Sequence, residues 1–260
     1  MDKSGFRMTP TPALIPFGYF LSTRLSSARD VAFLLATSWV PAIWLVVRLG
    51  AKSPVEAVSG FLLGYLAFIA IYEIGYLTND LWDARRSQDG RARFDHAVGP
   101  AYVAVFVGIR LVCWVAVASF TAWASNPIWL AGFGALLIAL AQHNLTQSPA
   151  LRLASFLELA VLRFFLPILV LVPRGQLWIV MLVALLLYAY PRFLSYMDSK
   201  SLLRLEDGRG RAFALLQLLW LVPLLLFIAY ATATPVIAEL VAYFVIAYAA
   251  GLVSFRRMNG

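Results

Sequence analysis

Phe61-Leu62-Leu63-Gly64-Tyr65-Leu66-Ala67-Phe68-Ile69-Ala70-Ile71-Tyr72-Glu73-Ile74-Gly75-Tyr76-Leu77-Thr78-Asn79-Asp80-Leu81-Trp82-Asp83 begins as an almost unbroken apolar run and ends in acids and an amide. Counted from Val55 to Thr78, the apolar part exceeds the roughly 20 helical residues that cross a hydrocarbon core. The whole chain has the same character. Of its 260 residues, 62% are hydrophobic and only 13% charged. A soluble domain of this length would have to expose much of that surface to water, whereas a chain dissolved in lipid requires it.

Working outward, similar runs cover 30–49, 55–78, 100–123, 127–144, 151–172, 175–196, 213–232 and 235–255. The expectation is an all-α, polytopic membrane bundle of about eight transmembrane helices. The run at 127–144 is the shortest, and that at 151–172 contains Glu158 and Arg163. Short gaps between the runs argue for one transmembrane domain, 30–260, preceded by a segment, 1–29. Residues 11–25 mix apolar and polar types, which fits either a segment lying along the membrane surface or a loose tail. The first ten residues are polar, so no cleaved signal peptide is expected. The sole cysteine, Cys113, excludes an internal disulfide, and no zinc-ligand spacing is present.

The net charge is +8. In a soluble protein that would raise nucleic-acid binding, but here its distribution has another explanation. With a cytoplasmic N-terminus and eight spans, most of the basic residues fall inside: Lys3, Arg7, Arg24 and Arg29, Arg85, Arg86, Arg91 and Arg93, Arg152, then Arg192 to Arg211, Arg256 and Arg257. Outside lie Arg48, Lys52 and Arg174. This is the positive-inside pattern. It places both termini in the cytoplasm, and the expected location is multi-pass in a bacterial inner membrane, with no nucleic-acid partner. The outer turns contain Gly50, Ser125-Asn126-Pro127, Pro173-Arg174-Gly175 and Thr234-Pro235, ordinary turn chemistry. Two inner loops, 79–99 and 198–212, are longer and carry both signs of charge, as a site at the mouth of a bundle would.

If the helix continues through Tyr72 to Asp83, then Glu73, Tyr76, Asp80 and Asp83 share one stripe, and Asn79 neighbours Asp83. Neighbouring carboxylates repel unless a cation lies between them. Hard oxygen ligands suit Mg²⁺, which in turn binds phosphate oxygens. The plainer alternative is a solvated helix end.

Asn79-Asp80-Leu81-Trp82-Asp83 resembles the first aspartate-rich motif of the UbiA family of intramembrane prenyltransferases, Asn-Asp-x-x-Asp-x-x-x-Asp, and stands where that family carries it. Arg91 to Gly99 resembles the run that ends in Gly before the third span, without its proline. Gln147-Ser148-Pro149-Ala150-Leu151-Arg152-Leu153 is similar to a Tyr-Ser-x-Pro-Pro-x-Arg-Leu-Lys pattern, lacking the Tyr, one Pro and the Lys. The family's second acidic motif corresponds to Asp198 and the Glu206-Asp207 region. The loop agreement covers most of the chain, although the family usually has one span more. Two family acids are replaced, by Ser87 and Leu202, with Asp89 and Glu206 near them.

The resemblance implies a UbiA-like bundle that transfers a polyprenyl group from a polyprenyl diphosphate to an acceptor the sequence leaves open, with Mg²⁺ as cofactor. It implies metal binding by Asp80, Asp83, Asn79 and Asp198. Diphosphate or substrate contacts would come from Tyr76, Asn79, Arg93, Arg152, Lys200 and Arg204. Glu73 has two readings: a cavity residue that accepts a proton, or a structural partner of Arg110. Charges within spans (Glu73, Arg110, Glu158, Arg163, Glu239) are expected to face the interior, pair, or reach an interface. His143 and Asn144 are either near the site or polar caps. Tyr72, Tyr76, Tyr188 and Tyr196 suit carbocation stabilisation and interfacial anchoring equally. The replaced acids keep open a degenerate member that binds lipid or a partner enzyme. The charges in the spans keep open a small transporter.

Overall fold

A computed structural model describes residues 10–25, 27–50, 52–86, 98–199, 202 and 210–259, with backbone alone for 10, 83–86, 199, 210–215, 217 and 251–259. Among these residues all regular structure is helical. Two short helices, α1 (Pro10–Leu14) and α2 (Gly18–Arg24), precede the longer ones. Then follow α3 (Ala28–Leu49), α4 (Pro54–Arg86), α5 (Pro100–Phe120), α6 (Pro127–Leu145) and α7 (Pro149–Phe165). The last three are α8 (Arg174–Asp198), α9 (Gly210–Ala231) and α10 (Pro235–Asn259).

A helix thus stands at each of the apolar runs. Five of them are long and apolar enough to cross a membrane: α3, the Pro54–Trp82 part of α4, α5, α6 and α8. The helix α7 has 17 residues and carries Arg152, Glu158 and Arg163. The strongly apolar described parts of α9 and α10 are Leu218–Ala231 and Pro235–Ala250. Large apolar side chains face outward without cover, among them Phe120 at 82% exposure and Trp220 at 80%. Apolar surface of this kind belongs against lipid, and with the five helices it points to a membrane protein.

Proline punctuates the chain in two ways. Pro54, Pro100, Pro127, Pro149 and Pro235 each open a helix, where their missing N–H costs nothing. Asn126 strengthens one such start by accepting from the N–H groups of Ile128 and Trp129 at 3.0 and 3.2 Å. Pro41 and Pro191 instead lie inside α3 and α8. Each follows a wider, π-type stretch, Leu35–Trp39 and Val183–Ala189. The extra residue in the turn relieves the clash between the proline ring and the preceding turn.

The centre of the bundle is α4. Its 33 residues span about 50 Å at 1.5 Å per residue, more than the hydrocarbon core is thick. It packs against α3, α5, α6 and the short turn Leu166–Ile168 that follows α7. The last contact depends on glycine. A Cβ on Gly64 would come within 2.0 Å of the Pro167 carbonyl oxygen, and one on Gly60 would meet Leu171 at 3.0 Å. Small residues four apart let backbones approach closely where lipid cannot drive packing. Glu239 of α10 accepts from Trp44 Nε1 at 2.8 Å and from Arg48 at 2.7 Å, tying α10 to α3.

Gly64→Ala therefore forces an atom against backbone, a change costing about 1–3 kcal/mol. Its thermal unfolding midpoint in detergent should fall by several degrees. Gly108→Ala, with nothing within 4 Å of the new Cβ, should leave the midpoint unchanged or slightly raised.

Candidate functional site

The acidic stripe of α4 is met by the N-terminal segment. Glu73 and Arg110 are both fully buried, with Arg110 donating from Nη2 at 2.8 Å and from Nε at 3.1 Å to Glu73 Oε2. The pair also caps two helix ends. Glu73 accepts from the backbone N–H of Phe20 at 2.7 Å and of Phe17 at 3.1 Å, at the start of α2. Arg110 donates to the carbonyls of Ala13 at 2.6 Å and Leu14 at 2.9 Å, at the end of α1. An acid at a helix N-terminus and a cation at a C-terminus are the favourable signs.

Of the two readings of Glu73, the structural partnership with Arg110 is the one formed. Both carboxylate oxygens are taken, so Glu73 is not placed to accept a substrate proton. The segment it holds is not a loose tail. Ala13, Tyr19 and Phe20 are fully buried, and residues 10–25 pack as part of the bundle. Phe17 holds a left-handed φ of 77°, rare for a residue with a side chain. Its bond to Glu73 and ring contacts with Phe20, Trp39 and Tyr65 keep it there.

Two turns further along α4, Asp80 receives Arg24 Nη2 at 3.0 Å on one oxygen and 3.1 Å on the other. The Tyr19 hydroxyl donates to the same carboxylate. Burial, together with the Asp80 charge, raises the Tyr19 phenol well above its ordinary value, so it remains the donor. The Asp80 side chain is 8% exposed. Tyr76 lies beside this pair, stacked parallel to Phe20 and covered by the Arg24 guanidinium at 4.2 Å. Above it an aromatic column climbs the same face of α4: Tyr72, Phe68, Tyr65, Phe61, with successive centroids 4.7 to 5.8 Å apart.

The remaining expected residues are less closely grouped. Asn79 is half-buried beside Asp80, and Asp198 is half-buried at the end of α8. Arg152 donates from Nε to the Thr146 carbonyl at 3.2 Å, bracing the turn before α7. The side chain of Asp83, and Arg93, Lys200 and Arg204, lie outside the described residues, as do Ser87, Asp89 and Glu206. His143 and Asn144 act as ties. His143 Nδ1 meets Ser155 Oγ at 3.0 Å, and Asn144 donates to the Gly75 carbonyl at 3.1 Å. Tyr196 stacks on Phe156 at 4.0 Å. Glu158 is exposed on α7, so of the three arrangements expected for charges within spans it does not take the interior one.

Among the described residues no group of three or more His, Cys, Asp or Glu could hold a metal ion. Asp80 already has a cation on it. The described donors alone therefore do not fit Mg²⁺.

Residues not singled out as site candidates in the sequence are Tyr19, Arg24 and Arg192. The last lies within the 175–196 apolar run, and a charge inside a run is the signal that could have drawn attention to it. Fold and site together define an all-helical membrane protein in which Asp80 is held by Tyr19 and Arg24 of the N-terminal segment. Comparison with protein-family models, with curated proteins and with solved structures finds no match.

Removing one member of a buried ion pair leaves the other uncompensated, which costs about 3–5 kcal/mol. Arg110→Met should sharply lower the unfolding midpoint in detergent and open residues 10–25 to protease. Glu73→Gln combined with Arg110→Met should recover part of the loss, but not all, because the end carbonyls of α1 stay unpaired.

Proposed function

We propose that this chain is an intramembrane prenyltransferase that takes a polyprenyl diphosphate as donor, resembling the UbiA family, with about eight spans and the acidic end of α4 on the cytoplasmic side. The observation that carries the reading is the junction at Tyr76 and Asp80. There, an acid and an amide at one end of a long helix meet an arginine and a column of aromatic faces that runs into the bundle. A diphosphate requires positive charge at the polar end. The allylic carbon requires electron-rich faces that stabilise a cation without attacking it. The prenyl tail requires an apolar bundle.

In the proposed reaction the carbon–oxygen bond to the diphosphate breaks, and the electron pair leaves with the diphosphate. A nucleophilic atom of the acceptor then bonds to the allylic carbon and loses its proton. Tyr76 would present a ring face to the developing cation once Arg24, which covers it at 4.2 Å, leaves with the exchange at Asp80, with Tyr72 behind it in the column. Glu73 holds α1 and α2 in place and is not assigned the proton. Mg²⁺ belongs to the proposal through Asp80, Asp83, Asn79 and Asp198, and requires Asp80 to exchange Arg24 for the metal.

A second reading has one specific observation in its favour. With Arg24 on Asp80, the acid is neutralised as it stands, which suits a member that binds a lipid and has lost catalysis.

Farnesyl diphosphate binding to the full chain in nanodiscs, with Mg²⁺ or with EDTA, separates the two. Transferase function predicts binding at least tenfold tighter with Mg²⁺, an advantage lost in Asp80→Ala and Asp83→Ala. Binding indifferent to the metal favours the second reading. Absence of binding in both conditions overturns both.

A further inference from the structure

Arg24, Arg163 and Arg192 come from three different helices and line one cavity of about 160 Å³. Their walls include Phe20 and Phe33, and one acid, Asp30. In each of the three arginines the Nε is buried and has no hydrogen-bond partner. A guanidinium carries five N–H donors in a planar fork. A buried one left unpaired is costly, and buried polar groups as a rule find partners. Three such groups around one hollow are therefore a pattern with a chemical cause.

The charges do not balance within the protein. Arg24 is matched by Asp80. Among the described residues neither Arg163 nor Arg192 pairs with an acid. Arg192 gives one hydrogen bond, from Nη2 to Thr37 Oγ1 at 3.1 Å, and lies over the Tyr188 ring at 4.5 Å. Arg163 lies over the Phe20 ring at 4.8 Å, with the neutral hydroxyls of Tyr65 and Tyr188 near it. Asp30 is occupied in part by the Ser27 hydroxyl at 2.9 Å. What would satisfy this arrangement is an anion with several acceptor oxygens. Its size must fit the hollow, and its geometry must suit planar forks.

We propose that this cavity binds the phosphate group of a phosphate monoester by direct contact of Arg163 and Arg192, with Arg24 at its edge, and without a bridging metal. Guanidinium forks match phosphate oxygens in pairs of parallel bonds, which a lysine cannot do. One wall offers a place for an apolar chain: Phe33, which lines the cavity, is 45% exposed on one face of α3. A lipid phosphate would seat its head among the arginines and lay its chain along that face. The inference does not depend on prenyl transfer, because none of the three arginines belongs to the acidic motif and no Mg²⁺ enters it.

The test uses full-length protein in neutral detergent with EDTA throughout. Farnesyl phosphate, farnesol and inorganic phosphate are the probes, and binding is read by native mass spectrometry and by intrinsic tryptophan fluorescence. Farnesyl phosphate should bind and farnesol should not. Arg163→Gln and Arg192→Gln should each weaken farnesyl phosphate binding at least tenfold. Competition by millimolar inorganic phosphate supports the site with a soluble source sufficing, and its failure to compete supports the site with a lipid source. Should Arg163→Gln not fold, the half-buried Arg192 carries the test, with Arg192→Lys losing most of the affinity although it keeps the charge. Equal binding of farnesol and farnesyl phosphate, no binding at all, or affinity unchanged in both glutamine variants would overturn the proposal. A failure of Mg²⁺-dependent farnesyl diphosphate binding would leave it standing.

Discussion

A carboxylate and a guanidinium with no exposure to solvent, Glu73 and Arg110, hold the N-terminal segment inside the bundle. Neither ion would be tolerable there alone, and the attraction between them offsets only part of their desolvation. The remainder comes from backbone. The end of α1 has carbonyls without partners and the start of α2 has N–H groups without partners, as every helix end does. Deep in a bundle, water is not there to satisfy them. Arg110 takes the carbonyls and Glu73 takes the N–H groups. The ions solve the problem of the helix ends, and the helix ends solve the problem of the ions. Everything that α2 delivers follows from this clasp: Tyr19 and Arg24 on Asp80, and Phe20 between Tyr76 and Arg163.

The clasp also explains why the long helices could be read from the sequence and the site could not. The helices rest on apolar runs and on prolines at helix starts, both local signals. Every run from 30–49 to 235–255 has its helix. The stripe of Glu73, Tyr76 and Asp80 is likewise a matter of local period, and it is present on α4. The pairing of Glu73 with Arg110 was one of two open readings, since spacing within a helix says nothing about residues 37 apart. The docking of residues 10–25 was less legible still. Its apolar content is modest, and its place depends on polar backbone groups meeting two charges from other helices. Asp80 shows the same limit. Its position at a helix end beside an amide suggests a metal ligand, whereas its partner, Arg24, lies 56 residues away in a segment without strong periodicity.

Arginine, rather than acid, dominates this end of the bundle. Lysine would bring a compact, strongly hydrated charge that resists burial, whereas a guanidinium is weakly hydrated and stacks on rings. The chain uses that property repeatedly. Arg24 covers Tyr76, Arg163 faces Phe20, and Arg192 lies over Tyr188 and Phe33. Ring faces supply part of the stabilisation that water supplies elsewhere. They do so without spending the in-plane N–H groups, which remain directed outward from each guanidinium edge.

Arg24 stands between the two kinds of chemistry this region could perform. One side of its guanidinium meets Asp80 at 3.0 Å, while its Nε is without partner and its side chain borders the cavity of Arg163 and Arg192. As long as it holds both Asp80 oxygens, the carboxylate cannot offer them to a cation. An anion in the cavity would attract Arg24 away from Asp80, and a cation at Asp80 would repel it toward the cavity. Both motions run in the same direction. On the reading in which Asp80 takes a metal, occupancy of the arginine cavity and release of the Asp80 carboxylate would draw on the same side chain, and by linkage each would then favour the other to the same degree.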